Sequence, residues 1–203
     1  MNCDKCMIMK KVVFVLFVSI LFLTSCINIG IKGNGNIVSQ EREASEFYGL
    51  TINGVGNVNV QPGEDYKLVV TTDDNLQYLV LVEVKNSILH IDTKENTNIR
   101  PTKLIIDVHL PELQSINING VENVKISDGN ASDLKISLSG VGNIDAQNYQ
   151  VQNVIINGSG VGNAKVWATN SLGGTLSGVG SIHYKGAPEV RINVSGVGKV
   201  KKM

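Results

Sequence analysis

A few residues in this 203-residue sequence have types and spacings that could do chemistry. Cys3 and Cys6 form a C-x-x-C pair, the spacing of a metal or redox site. No second pair exists to complete a zinc site, since Cys26 is the only other cysteine. Gly158-Ser159-Gly160-Val161-Gly162 has the look of a phosphate-cradling loop. Such a loop needs a helix behind it to receive the phosphate, and here a strand pattern follows. Asp107, Asp128, Asp133 and Asp145 could serve as the acid and base of a polysaccharide-cleaving site only if clustered, and they are scattered. His90, His109 and His183 fall in different strands. Glycine-rich solenoids that bind calcium carry an aspartate in every repeat. Here the corresponding corner holds Asn, Ser or Lys, and only Glu122 is acidic. The sequence therefore predicts no enzyme, no cofactor and no metal. Trp167 is better suited to recognition, because an exposed tryptophan can stack on a sugar or anchor a protein. It follows an inward Val166, so alternation points it outward, next to Gln147 and Lys185 of the adjacent repeats.

The elements that would position these residues are written into one repeated phrase. NGVGNV starts at Asn53, NGVENV at Asn119, SGVGNI at Ser139, SGVGNA at Ser159, SGVGSI at Ser177 and SGVGKV at Ser195, with a weaker copy, KGNGNI, at Lys32. The leading glycines are 21, 66, 20, 20, 18 and 18 residues apart. A period near 20 is the mark of coils stacked on one another. Four and two residues before each glycine stand pairs such as Ile116 and Ile118 or Ile136 and Leu138, and four after it stand Val58, Val124, Ile144, Ala164, Ile182 and Val200. This is the period-2 alternation of a strand with one buried face. The phrase reads as strand, corner, strand. Its glycines allow the corner, its valine points inward, and Asn57, Asn123, Asn143 and Asn163 tolerate positive φ and stack into an amide ladder. The expected fold is all-β: a single-domain, right-handed parallel β-helix, or β-solenoid, with coils of about 18–21 residues.

Ahead of the repeats lies an export signal. Lys10 and Lys11 precede an apolar run from Val12 to Leu23, short for a membrane span and suited to a signal peptide. Leu23-Thr24-Ser25-Cys26 resembles a lipobox, which makes Cys26 the site of lipid attachment. The expected organisation is a lipoprotein signal peptide at 1–25, a lipidated N-terminus and short tether at 26–32, and the β-solenoid at 33–203. Cys3 and Cys6 fall in the removed part, and no intrachain disulfide remains. Removal of Asp4, Lys5, Lys10 and Lys11 leaves 15 basic and 17 acidic side chains. No basic stripe or basic-aromatic cluster is visible, which argues against nucleic acid as a partner. Lys199, Lys201 and Lys202 read as protection of an open strand edge.

Between Gly54 and Gly120 the phrase is missing for about three periods. Alternation predicts strands at 67–71, 79–84, 88–92 and 104–110, with Lys85-Asn86-Ser87 as a hairpin turn. We expect coils with a hairpin extension there, and a polar loop or turn over Gln40–Glu46.

Early GNGNI, the strand Phe47–Ile52, the Pro62-Gly63 turn, Leu110-Pro111-Glu112-Leu113 and the SGVGN copies together resemble the auto-transporter adhesin family with a head GIN domain. The resemblance runs from Gly33 to the C-terminus. It implies a non-catalytic bacterial lipoprotein, exported and anchored in the envelope at the outer membrane through its lipid, with a glycan or an envelope or host protein as ligand. A structural role in the envelope is the alternative, and a carbohydrate-active enzyme a more distant one. Fold alone does not choose among them.

Overall fold

The computed structural model describes residues 30–203; Cys3, Cys6, the apolar run and Cys26 lie outside the described residues. Among the described residues no helix is long and apolar enough to cross a membrane. The described residues are all-β, with one short 3-10 helix among them at Asp74–Leu79. Each copy of the phrase joins two strands at its glycine, for example Ser115–Ile118 to Val121–Ile126 and Glu189–Val194 to Val197–Lys202.

Equivalent residues of successive copies lie side by side in parallel register. Ile118 pairs with Ile52 on one side and Leu138 on the other, and the series continues through Gly158, Leu176 and Val194. Beyond the corner, Val58, Val124, Ile144, Ala164, Ile182 and Val200 form a second such series. Backbone bonds cross the corner itself, from Val141 N–H to Gly120 C=O at 2.9 Å and from Val161 N–H to Gly140 C=O at 3.0 Å. Inward residues such as Ile116, Ile136, Val154 and Leu172 are fully buried. The core is built mainly of aliphatic side chains, as alternation requires, with Phe47 and Tyr149 buried among them.

The change of period from 20 to 18 has a visible cause. Ala146 pairs with Val166, but Gln150 pairs with Trp167, so three residues bulge out of one layer. The bulge turns Tyr149 into the core, where its hydroxyl accepts from Leu113 N–H at 3.0 Å and lies 3.1 Å from Leu113 C=O, to which it donates. One residue fewer between Val151 and Asn153 than between Ala168 and Ser171 gives the net difference of two.

Four readings of the sequence need correction. The phrase valines point outward: Val55, Val121, Val141, Val161, Val179 and Val197 are 36–71% exposed. Alternation counted back from buried Ile144 puts Gly142 inside and Val141 outside, and the inward site is filled by the carbonyl of the preceding layer. Positive φ belongs to second glycines such as Gly162, not to the asparagines that follow. KGNGNI is no coil. It clasps the 73–75 turn: Asp73 accepts from Gly35 N–H (2.7 Å) and Thr102 N–H (2.8 Å), and Asn36 donates to Asp74 (2.7 Å). Burial works against ionisation of Asp73, but those N–H donors outweigh it and hold the carboxyl below its ordinary range. Finally, Gln40–Arg42 belongs to a strand, Ile37–Arg42, antiparallel to Lys67–Asp73.

The stretch from Gly54 to Gly120 yields one further parallel layer, Ile88–Thr93 beside Gly49–Ile52 and Leu104–Leu110 beside Val55–Pro62. Antiparallel strands then cover it: Val80–Lys85 hairpins onto Ile88–Thr93 through the predicted turn, and Lys67–Asp73 lies on Leu104–Leu110. With buried Leu76 and Leu79 of the 3-10 helix they close this end of the stack.

The tightest point of the stack is testable. A Cβ at Gly162 would overlap the backbone carbonyl of Gly142, at a φ of +155°. Gly162→Ala is expected to cost about 3 kcal/mol or more in urea unfolding. Gly63→Ala, which meets nothing within 4 Å, is expected to stay within about 0.5 kcal/mol of the parent.

Candidate functional site: ladder-built polar faces

The outward side chains inherit the register of the backbone, so residues far apart in sequence become neighbours about 4.8 Å apart. Before the corner, one column runs Asn53, Asn119, Ser139, Ser159, Ser177, Ser195. Asn119 donates to Asn53 Oδ1 (2.7 Å), and Ser139 Oγ donates to Asn119 Oδ1 (2.7 Å). After the corner the expected asparagine ladder forms. Asn123 donates to Asn57 (3.4 Å), Asn143 to Asn123 (3.0 Å) and Asn163 to Asn143 (3.1 Å), and Ser181 N–H caps it on Asn163 Oδ1 (2.9 Å). Asn123, Asn143 and Asn163 each spend one donor and the oxygen on the ladder and keep the other donor for solvent or a ligand, while Asn57 gives the ladder only its oxygen. The exposed valines form a continuous apolar rail beside this ladder.

Trp167 stands on the same side as the asparagine ladder and is half-buried. Lys185 Nζ lies 5.0 Å from its ring centroid and donates to the Gln147 carbonyl at 2.8 Å. The expected neighbour Lys185 is therefore in place. The paired residue on the other flank is Gln150, because the bulge at 147–149 shifts the register, and Gln147 contributes only its carbonyl. One ring face is covered by the ammonium group, so Trp167 is a fixed element and not a loose one.

The structure also builds a cleft that the sequence did not announce. Asn53 donates to Asp92 Oδ1 (2.5 Å), and beside this pair the 93–99 loop walls a cleft of about 450 Å³ lined by Thr93, Glu95, Asn96 and Thr97. Its only legible signal was the turn-rich run at 96–101. Asp107 and Asp145 share one outward column but are separated by the layers of Asn59 and Lys125, and Asp133 bonds Asn153 on the other face. Among the described residues no three His, Cys, Asp or Glu side chains gather at a metal-sized site.

Glu122 occupies the corner position that is glycine in the other phrase copies, paired with Gly56 and Gly142. It is 2% exposed, and neither carboxylate oxygen has a hydrogen-bond partner. Burial pushes its carboxyl up to about 7, against the pull of the nearby Gly54, Gly120 and Val121 N–H groups.

Fold and surface together define an all-β repeat protein that presents flat, ladder-built faces. The chain belongs to the family described as "Putative auto-transporter adhesin, head GIN domain", whose model matches residues 46–128 and 124–188. It is similar to the crystal structure of a "putative adhesin" from Bacteroides fragilis NCTC 9343, with 25% identity and a TM-score of 0.51 over 86% of this chain and 100% of that one. A "putative lipid binding protein" from Parabacteroides distasonis ATCC 8503 is 24% identical over 86% of this chain and 100% of its own, with a TM-score of 0.42. No curated protein matches the chain.

The Glu122 site has a pH signature. A carboxyl near 4.5 when unfolded and about 7 when folded favours the fold while protonated. Its contribution is full below about pH 4.5 and is lost as pH rises through about 7, by up to roughly 3 kcal/mol. Glu122→Gln is expected to be more stable than the parent at pH 8, and equal to it at pH 4. Denaturant melts at the two pH values check this.

Proposed function

We propose that this chain is a non-catalytic, adhesin-like module of the bacterial envelope. In this reading it is a right-handed β-solenoid, exported and held at the outer membrane by a lipid on Cys26, and it binds a surface glycan or protein. Support for the solenoid comes from the parallel register at offsets of 20 and 18 residues, with right-handedness the usual sense of parallel crossovers. The domain reading, with a signal at 1–25, a tether at 26–32 and one domain at 33–203, goes with it.

The observation that carries the functional reading is the uncharged ladder of hydrogen-bonding groups from Asn57 to Ser181 beside the valine rail. A rigid row of identical donors and acceptors offers repeated contacts with no ordering cost on the protein side. Trp167, fixed at the margin of this face, supplies the single large apolar contact. Family membership and the likeness to the Bacteroides fragilis structure point the same way.

A glycan and matrix-protein array with the full chain in detergent tests it. Binding to a defined subset is expected, weakened about tenfold, or ~1.4 kcal/mol, in Trp167→Ala. A blank array with folded protein would instead favour a structural role in the envelope.

A further inference from the structure

The column next to the asparagine ladder reads, layer by layer, Asp107, Asn59, Lys125, Asp145, Lys165, His183, Lys201. Acids flank the one lysine down to Asp145, and the last three layers contain no acid. The segments that form them, 161–168, 179–186 and 197–203, contain no aspartate or glutamate. They place Lys165, His183, Lys185, Lys199 and Lys201 on one flat face, with Lys202 at its margin. The basic stripe that the linear sequence lacks is thus assembled by stacking.

Nothing in the described residues neutralises it. The ion pairs among them are Lys67–Glu41, Lys85–Glu83 and Arg191–Glu189, all elsewhere. Asp145, the nearest acid in the column, instead accepts from Gln147 Nε2 at 3.1 Å. His183 Nδ1 is buried without a partner between Lys165 and Lys201. Lys165 and Lys201 lie two layers apart in one column, Lys199 stands two residues from Lys201 on the last strand, and no acid lies among them, so the face carries a net positive potential that an anion can meet.

We propose that this face binds an acidic polysaccharide, a sugar polymer carrying carboxylate or sulfate groups. The proposal rests on the adhesin-like reading and names its ligand class. Layers about 4.8 Å apart, with outward positions about 6.7 Å apart along each strand, set the cations on a shallow grid that an extended chain can lie across. Asn163 and Ser181 sit in the same layers to meet hydroxyls. Val161, Val179 and Trp167 offer apolar contact to ring C–H faces. Single-stranded nucleic acid is a poorer fit, since it is bound by successive aromatic platforms and this face has a single ring, Trp167. A lipid surface is a poorer fit too, because short valines do not reach the hydrocarbon, Trp167 is held under Lys185, and the one exposed long aliphatic side chain of these segments, Met203, stands at the end of the last strand.

The test uses the full chain in detergent against immobilised dextran sulfate, polygalacturonate, neutral dextran, single-stranded DNA and anionic phosphatidylserine vesicles. We expect binding to one or both acidic polysaccharides and not to dextran, weakening as salt rises. Lys165→Gln/Lys199→Gln/Lys201→Gln, all at exposed positions, should weaken it about tenfold or more with an unchanged thermal melt. Lys103→Gln/Lys135→Gln, away from this face, should leave it unchanged. Stronger binding to DNA or vesicles than to either polysaccharide overturns the ligand class. Equal loss in both variants, or no binding to the acidic polymers, overturns the site. If the array ligands are bound equally by the parent and the triple variant, the adhesin-like reading stands and this inference falls.

Discussion

The constraint on which everything else rests is the main-chain ladder between repeats. Once Val141 N–H bonds Gly120 C=O and Val161 N–H bonds Gly140 C=O, each residue must lie against its counterpart one period away. A side chain then sees mostly copies of itself, about 4.8 Å above and below. Columns of aliphatic residues satisfy this inside, and columns of amides satisfy it outside, because each amide donates to the next. A column of one charge does not. The alternation Lys125, Asp145, Lys165 respects that rule, and the layers after it, with His183 and Lys201, supply no acid.

The same ladder explains why exceptions are informative. Gly142 and Gly162 have no room for a Cβ because the carbonyl of the layer before fills the inward site. Glu122 stands in that series where the chain returns from the long excursion between Gly54 and Gly120. Its neighbour in the layer before is Gly56, and not a residue one regular period back. The Glu122 carboxyl is carried into the corner without a partner. The two ends of the stack also differ. Antiparallel strands and the 3-10 helix seal the end near Asp73, whereas Val190 and Val194 of the last described layer remain 39% exposed.

Much of this was legible in the sequence, for reasons that are physical. Alternation around each glycine located the strands. Equal spacing gave the partners, so the amide ladder from Asn57 to Asn163 could be anticipated from four identical positions. Lys85-Asn86-Ser87 announced its hairpin, and Asn86 and Ser87 do take positive φ. What failed were inferences that needed the third dimension at a corner. The side taken by Val141 depends on how tightly Gly142 packs, and composition is silent about that. KGNGNI matched the phrase in letters, but the acceptors of Asp73 and Asp74 claim its N–H groups and amides. The bulge at 147–149 moved Trp167 off Gln147 because a buried hydroxyl at Tyr149 satisfies Leu113. The basic face stayed hidden because Lys165, His183 and Lys201 are a full period apart in the chain and meet only through stacking.

The central claim is that residues one period apart are in contact. Cysteines at stacked positions read this directly, since parallel neighbours fall within the Cα separation a disulfide requires. Val141→Cys with Val161→Cys, mildly oxidised and mapped by mass spectrometry of its peptides, should give the 141–161 cross-link in high yield. Val121→Cys with Val161→Cys, two layers apart, should give little. Comparable yields from the two pairs, or no 141–161 link, would contradict the stacked register and with it every column described above.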